Sequence, residues 1–382
     1  MKRNLLVITL IIIIISSCKK DEKVTKHEGG VTGFVQKGPF SIGSSISLQE
    51  LLPSLTPTGR IFESQVEDNR GTFHIPNISL VSSIVSLRAD GFYFNEVSGS
   101  QSASQITLNC LSDISNKSTI NINLISHLEK PRVEYLISQG VSFAAAKKQA
   151  EQEILQIFNI NKPNLPESEL LDITHYSDDN AVLLAVSLIL QGYRTEGELS
   201  NLLASISYDI RQDGVLTNSS LGSALINDAK HLKLDSIRQN ISLRWNALGI
   251  NDSIPNFEGY LSNFINSTSY VFTNYITYPT SGAYGLNLLN LIDSIYIGNG
   301  QLLSIDAFLP KGATLRVEGL YNIGLGTQNG WNLVFPSQSE IVLASNKSGH
   351  ITMWTSISTN FSIKFYENGA TVPTRIKNIY VQ

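Results

Sequence analysis

The chain has 382 residues, of which 42% are hydrophobic and 16% charged, so it holds enough apolar side chains for sizeable cores and is not intrinsically disordered. This length predicts two to three domains. The 28 basic and 32 acidic residues give a net charge of −4, and lysine and arginine form no dense block. Nucleic-acid binding is therefore not expected, because a phosphate-binding surface needs clustered basic residues.

The first element is an export leader. Lys2 and Arg3 precede an apolar run of about 11 residues, 5–15. A helix that crosses a bilayer needs roughly 20 apolar residues, whereas this length is typical of the core of a signal peptide. Residues 1–17 are therefore predicted to be a cleaved leader, whose loss leaves 26 basic against 32 acidic residues and a net charge of −6.

The leader runs into Ile15-Ser16-Ser17-Cys18, which resembles the lipobox of bacterial lipoproteins. The resemblance implies that Cys18 becomes the mature N-terminus and that membrane lipid is its partner. Each buried methylene contributes about 0.8 kcal/mol, so several acyl chains hold such a protein durably.

A polar tether, residues 18–30, is expected to follow the leader and to reach at most about 43 Å. Its residues 19–23, Lys-Lys-Asp-Glu-Lys, resemble the export signal of surface lipoproteins of the Bacteroidota. The resemblance implies an outer-membrane anchor with the body at the cell surface. A solvated tether has the same composition, which leaves the periplasmic face as the alternative.

Residues 31–111 read as short alternating strands divided by turn residues, a pattern typical of a β-sandwich. The predicted strands are 31–37, 45–50, 59–66, 71–75, 83–89 and 91–97. Val31–Val35, Asp68–Phe73 and Leu87–Tyr93 resemble the carboxypeptidase-regulatory-like, transthyretin-like fold. Domains of that fold are accessory, so the resemblance implies no catalysis here.

Cys110 is the only cysteine besides Cys18, and the lipobox resemblance implies that Cys18 carries lipid, so no disulfide within the chain is expected. It lies in an alternating stretch, and its interpretation is a small buried hydrophobe rather than a reactive thiol.

Residues 119–275 change to a helical period and predict an α-helical bundle. Ser142 is expected to cap a helix over 143–158, and Thr195 with Glu198 forms a capping box ahead of another. Further helices are predicted at 178–190, 220–231, 235–248 and 256–266.

Over residues 278–382 apolar and polar residues alternate again, a pattern that predicts a second β-sandwich, which is immunoglobulin-like. Its predicted strands are 304–309, 314–319, 331–335, 339–344, 349–355, 362–367 and 377–381. The expected fold class is multidomain α+β, with an N-terminal β-sandwich, a central α-helical bundle and a C-terminal immunoglobulin-like β-sandwich.

Asp209 and Asp213 form the best calcium-loop candidate, since they hold positions one and five of an EF-hand loop and Gly214 holds position six. Position three is Arg211 and position twelve is Ser220, so the glutamate that completes the ion's shell is missing. A helix that ends at Asp-Gly explains the same residues and is the favoured interpretation.

Other metal or catalytic motifs are absent from the sequence. The six histidines form no ligand pair, and neither a G-x-S-x-G nor an S-x-x-K motif occurs, so no cofactor is expected. His127 and Glu129, followed by Lys130, Arg132 and Glu134, suggest either an acid–base site or ion pairs on a helix surface, and the ion pairs are favoured.

The triplet Asp-Ser-Ile occurs three times and resembles the short O-glycosylation motif of Bacteroidota surface proteins. Ser253 and Ser294 are the candidates for attachment, whereas Ser236 falls inside a predicted helix.

The sequence therefore favours a lipid-anchored binding, adhesion or structural module whose ligand is a glycan or a protein. Two alternatives are a hydrolase of extracellular polymer and an assembly subunit of an outer-membrane complex. Enzymatic activity therefore stays open, and its absence is the favoured expectation.

Overall fold

The computed structural model describes residues 27–272 and, after them, a set of C-terminal segments. These segments are 294–297, 302–309, 314–318, 324–325, 331–336, 340–345, 349–356, 360–366, 370–373 and 375–381. The predicted leader and Cys18 lie outside the described residues. Helices and sheets are both present, so the chain has a mixed α+β fold. Among the described helices, none is long and apolar enough to cross a membrane.

The first part of the described chain is built of strands. They are β1 His27–Gln36, β2 Ser45–Leu51, β3 Pro57–Gln65, β4 Thr72–Leu80, β5 Ile84–Gly91, β6 Phe94–Asn95, β7 Ser100–Gln101, β8 Ile106–Asp113 and β9 Ile122–Asn123. An antiparallel sheet has the order β3-β2-β5-β8, a second sheet has the order β4-β1-β9, and β6 pairs with β7. In the second sheet β1 runs antiparallel to β4 and parallel to β9. The strand β1 begins at His27, inside the segment predicted to be tether.

The turn between β3 and β4 depends on a carboxylate and a glycine. Asp68 accepts hydrogen bonds from the backbone N–H groups of Arg70, at 2.9 Å, and Thr72, at 3.1 Å. Gly71 has a φ of +86°, and a Cβ there would lie 2.5 Å from the carbonyl oxygen of Val35. A side chain at this position would therefore meet both an unfavourable dihedral angle and a backbone clash.

Seven helices occupy the rest of residues 27–272. They are α1 Leu124–Ser138, α2 Phe143–Ile157, α3 Asp178–Gln191, α4 Glu196–Ile210, α5 Ser219–His231, α6 Leu234–Leu248 and α7 Glu258–Ser267, with a 3-10 turn at Ser168–Leu170. The capping box of Thr195 and Glu198 is confirmed at the start of α4.

Two other helix starts differ from the sequence expectation. Ser142 does precede α2, but its side chain makes no capping hydrogen bond, so the predicted side-chain cap is wrong. The third helical position there is an alanine, which cannot return a capping-box bond, and the exposed first turn is open to water. The helix α1 begins with a capping box that the sequence expectation missed, between Asn123 and Ser126.

Strands and helices share one hydrophobic core. Buried apolar side chains of β1, β5, β8, α1, α3, α4 and α7 belong to a single cluster that extends from Val31 to Phe264. In α3, eleven consecutive residues, 181–191, are buried, as expected for a helix surrounded by protein on all sides. The packing is therefore continuous across the boundary predicted between 31–111 and 119–275.

Polar contacts join the same two regions. Arg70, in the turn described above, donates from its guanidinium to the carbonyl of Leu248 at 2.6 Å and to that of Gly249 at 3.2 Å, at the C-terminal end of α6. The phenol of Tyr93 donates to the side chain of Gln191 in α3 at 2.9 Å. A cation at a helix C-terminus is favourable because the last carbonyls there lack partners within the helix.

The C-terminal segments form two further sheets. Their strands are β10 Ser294–Ile297, β11 Leu302–Leu309, β12 Thr314–Glu318, β13 Gly324–Leu325, β14 Trp331–Pro336, β15 Glu340–Ser345, β16 Gly349–Ser356, β17 Phe361–Tyr366 and β18 Arg375–Val381. One sheet has the order β10-β18-β17-β12-β15-β14 and the other β11-β16-β13. The short strands β10 and β13 were not expected from the sequence.

Candidate functional site

The two calcium candidates lie at the end of α4, with Asp209 in its last turn and Asp213 in the loop that follows. The carboxylate of Asp209 accepts hydrogen bonds from the backbone N–H groups of Thr217, at 2.6 Å, and Asn218, at 3.2 Å. Asp213 accepts from the backbone N–H of Val215 at 3.0 Å. Both carboxylates thus act as local acceptors that shape the loop, and their role as calcium ligands stays a prediction.

The carbonyl oxygens between these two acids face a cation of the protein itself. Arg132 of α1 donates to the carbonyls of Arg211, at 3.1 Å, and Gln212, at 2.5 Å, and it also pairs with Glu153 at 2.7 Å. Among the described residues, no group of three or more histidine, cysteine or acidic side chains could hold a metal ion.

The glycosylation candidates lie in different settings. Ser253 is exposed in the loop between α6 and α7, where its backbone N–H donates to Asp252 at 2.7 Å. Ser294 begins β10 and pairs with Asn378 of β18. Ser236 lies inside α6, where the sequence placed it. Glycan attachment stays a prediction for Ser253 and Ser294.

His127 and Glu129 do not form an acid–base pair with each other. The Nδ1 atom of His127 accepts a hydrogen bond from the backbone N–H of Asn109 at 3.1 Å. Burial, with a smaller effect of nearby Lys130, lowers the pKa of His127 to about 4, so its imidazole is neutral near pH 7. Glu129 instead contacts Lys147 of α2.

The ion pairs expected on the surface of α1 are only partly on the surface. Lys130 and Glu134 form an i,i+4 pair at 2.6 Å with both side chains partly exposed. Glu129 and Arg132 are buried instead, because α1 packs against α2, α4 and β8.

A cluster of charged side chains lies inside the protein between α1, α2 and the 3-10 turn. The ammonium of Lys147 lies 2.6 Å from a carboxylate oxygen of Glu129 and 2.8 Å from one of Glu169. Lys117 pairs with Glu169 at 2.9 Å, and the hydroxyl of Ser168 donates to Glu129 at 2.9 Å. Side chains of Lys147, Glu129 and Glu169 are at most 5% exposed.

The pKa values of the two glutamates in this cluster are shifted in opposite directions. Burial raises the pKa of Glu129 to about 7, although Lys147 opposes the shift. Burial acts on Glu169 too, but Lys147 and Lys117 outweigh it and lower the pKa of Glu169 to about 2. One carboxylate oxygen of Glu129 has no hydrogen-bond partner, which fits a carboxyl that is costly to ionise.

Cys110 lies close to this cluster and is fully buried, as the sequence suggested. Burial raises the pKa of its thiol to about 12, so the reactive thiolate is disfavoured.

A second enclosed ion pair lies within the strand-built part of the chain. The ammonium of Lys37 lies 2.6 Å from Glu96, and both side chains are at most 2% exposed. Burial lowers the pKa of Lys37 and raises that of Glu96. The ring of Tyr93 lies 5.1 Å from the lysine nitrogen. Both side chains of this pair are buried, one carboxylate oxygen of Glu96 has no hydrogen-bond partner, and Glu96 lines a small cavity.

An open cleft of about 580 Å³ lies between the C-terminal half of α2, the segment that follows it, and α7. Five side-chain amides, one serine and one lysine surround three apolar residues. The lining is Gln152, Leu155, Gln156, Asn159, Ile160, Asn161, Lys162, Pro163, Asn263 and Ser267. We call this site the amide cleft.

Three of its polar residues hold the cleft in shape. Asn159 has a φ of +53°, a left-handed conformation that asparagine tolerates better than most residues. Its carbonyl accepts from the side chain of Asn263 at 3.0 Å, and its own amide donates to Ser267 at 3.2 Å. The segment after α2 is thereby fastened to α7.

The other three amides have no hydrogen-bond partner among the described residues. Within residues 27–272, the side chains of Gln152, Gln156 and Asn161 make no hydrogen bond to another residue, and all three are exposed. Their donors and acceptors are therefore available to a ligand.

The charge of Lys162 is already compensated. Its ammonium lies 2.6 Å from the carboxylates of both Asp178 and Asp179. Partial burial alone would lower the pKa of Lys162, but hydrogen bonds to these acids and to Tyr260 raise it.

Comparison with protein-family models, with curated proteins and with solved structures finds no match for this chain. The resemblance to the carboxypeptidase-regulatory-like fold therefore stays a prediction.

The chemistry of the amide cleft is hydrogen bonding without proton exchange. A carboxamide offers two N–H donors and an oxygen acceptor and does not titrate near neutral pH. Sequence reasoning missed this site, although Gln152, Gln156, Asn159 and Asn161 fall within ten residues. The residues of α7 that complete the cleft lie about a hundred residues later in the chain, and no local sequence pattern indicates that the two segments are in contact.

Proposed function

We propose that this chain is a lipid-anchored outer-membrane protein, displayed at the cell surface through Cys18, that binds a ligand without transforming it. In this proposal the body consists of a regulatory-like sandwich, a helical bundle and an immunoglobulin-like sandwich. The observation that carries the proposal is the amide cleft, which is open, preformed and, apart from Lys162, lined by groups that do not titrate near neutral pH.

The placement of the titratable groups supports binding over catalysis. A general acid or base must come within about 3 Å of the atom that gains or loses the proton. Glu129, Glu169 and Glu96, whose pKa values are shifted, are enclosed in the interior and do not line the cleft. Strongly perturbed carboxyls at a reaction site would be expected to face the substrate.

Labelling with an alkyne analogue of palmitate in cells of the native host tests the anchor. We expect the whole chain to be labelled, Cys18→Ala to lose the label, and the matched control Cys110→Ala to keep it. Protease added to intact cells is expected to degrade the chain. A label that survives Cys18→Ala would contradict the anchor, and protection in intact but not lysed cells would place the body at the periplasmic face.

The distinction between binding and hydrolysis needs a second measurement. The purified mature chain is incubated with neutral polysaccharide from the host envelope, and the products are separated by size. Recovery of the polymer at its original length is the expected result. Shortened products that disappear with substitutions in the cleft would identify a hydrolase and overturn the proposal.

A further inference from the structure

We infer that the amide cleft takes a segment of neutral glycan, held by Gln152, Gln156 and Asn161 beside the exposed ring of Pro163. This inference rests on the proposed binding function and names the class of its ligand.

Electrostatics favour an uncharged ligand. Lys162 is the only charged residue among those that line the cleft, and it faces two carboxylates, Asp178 and Asp179, at 2.6 Å each. An anionic ligand would have to compete with these acids for the ammonium and would be repelled by them. A cationic ligand would find no carboxylate in the lining.

The pattern of donors and acceptors matches hydroxyl groups. A sugar hydroxyl both donates and accepts, and each carboxamide offers both functions at adjacent atoms. Gln152, Gln156 and Asn161 are exposed and have no partner in residues 27–272. Beside them, the exposed ring of Pro163 offers apolar surface for the C–H face of a sugar ring, whereas Leu155 and Ile160 are buried.

The walls of the cleft favour glycan over extended peptide. Extended peptides commonly bind by adding a strand to a sheet edge, where unpaired backbone groups supply the hydrogen bonds. Here two walls are α2 and α7, whose backbone groups bond within their own helices. In the third wall, the segment after α2, the backbone N–H groups of Asn159 and Ile160 bond back to carbonyls of α2. The available hydrogen bonds therefore come from side chains.

Size and rigidity suit a short carbohydrate segment. The volume of about 580 Å³ falls within the roughly 300–1,000 Å³ typical of small-ligand sites. The contacts of Asn159 with Asn263 and Ser267 fix the segment after α2 before a ligand arrives. A preformed site spends less binding free energy on ordering its own residues.

The test uses the mature chain on three printed arrays, of neutral oligosaccharides, acidic oligosaccharides and unmodified peptides, followed by calorimetric titration of the best neutral binder. We expect binding to neutral oligosaccharides. Gln152→Ala combined with Gln156→Ala should weaken it at least about tenfold, since two hydrogen bonds are lost. Gln149→Ala, on the same helix but outside the cleft, should leave affinity unchanged.

Each contrary outcome points to a different failure. Binding to acidic sugars or peptides alone, lost in the double variant, would overturn the glycan inference and leave the proposed binding function intact. Neutral binding that the double variant does not weaken would also overturn it, because the site would lie elsewhere. No binding on any array, and none in calorimetric titrations at millimolar ligand, would overturn both the glycan inference and the proposed binding function. Cleavage of a printed sugar would overturn the proposed function, which excludes transformation of the ligand. The substituted residues are exposed, and thermal unfolding of each variant checks that the fold is retained.

Discussion

Replacement of Lys147 by methionine removes the cation at the centre of the larger buried cluster. Glu129 then keeps only the hydroxyl of Ser168, while Glu169 keeps Lys117. Removal of one partner from a buried ion pair typically costs about 3–5 kcal/mol, because the other charge stays buried and uncompensated. We expect Lys147→Met to lower the free energy of unfolding by about that amount at pH 8, where Glu129 of the wild type is mostly ionised. That loss is a large share of the roughly 5–15 kcal/mol typical of a folded domain.

Urea unfolding followed by circular dichroism measures the loss. The matched control is Lys130→Met, which breaks the partly exposed ion pair with Glu134 on α1. This variant should lose only about 0.3–0.5 kcal/mol of the free energy of unfolding. At pH 5 the loss for Lys147→Met should shrink, because Glu129 is then protonated. Equal losses for the two variants at pH 8, or a loss for Lys147→Met that does not change with pH, would refute the assignment of Lys147 as the compensating charge.

Two further outcomes are expected. The pKa of Glu129 is about 7 in the folded chain and near 4.3 in an unfolded chain. Between these two pH values the folded state therefore binds one more proton than the unfolded state. The contribution of Glu129 to the free energy of unfolding falls as the pH rises through this range. Urea titrations at half-unit pH steps should show this fall in the wild type and its loss in Glu129→Gln, and an identical pH profile for both would contradict it. Gly71→Ala should destabilise the fold more than Gly59→Ala, because both glycines have a positive φ but only at Gly71 does a new Cβ meet a backbone oxygen. Each should cost about 1–2 kcal/mol for the dihedral angle, with a further loss at Gly71, and equal melting temperatures of the two variants would argue against the clash.

Local patterns in the sequence predicted six of the seven described helices, α2 to α7, and most strands, whereas only Phe94–Asn95, β6, forms a separate strand within the predicted strand 91–97. The capping box of Thr195 and Glu198 is visible in the sequence because both partners lie within one turn. The start of α1 was harder to predict, since its box uses Asn123 and Ser126 in place of the usual glutamate. Strand pairs of two residues, such as β6 with β7, carry too little alternation to stand out.

Features that depend on distant residues could not be predicted from the sequence. Glu129 looks like a surface residue in a charged run, but it is buried, and its partners Lys147 and Ser168 come from later segments of the chain. The amide cleft likewise needs α7 beside α2. Periodicity reports which face of a helix is apolar, but it does not report which buried charges will meet.

The position of β1 has a mechanical consequence. Because β1 begins at His27, an anchor at Cys18 would leave only residues 18–26 as spacer, at most about 30 Å long. Any pull on the body, from flow or from a bound ligand, would enter along the axis of β1. That strand is hydrogen-bonded to β4 from His27 to Phe34 and continues beside β9, so the force would load several hydrogen bonds at once in shear instead of opening them one by one. If Cys18 is the anchor, β1 would therefore be the strand that transmits this force to the rest of the fold.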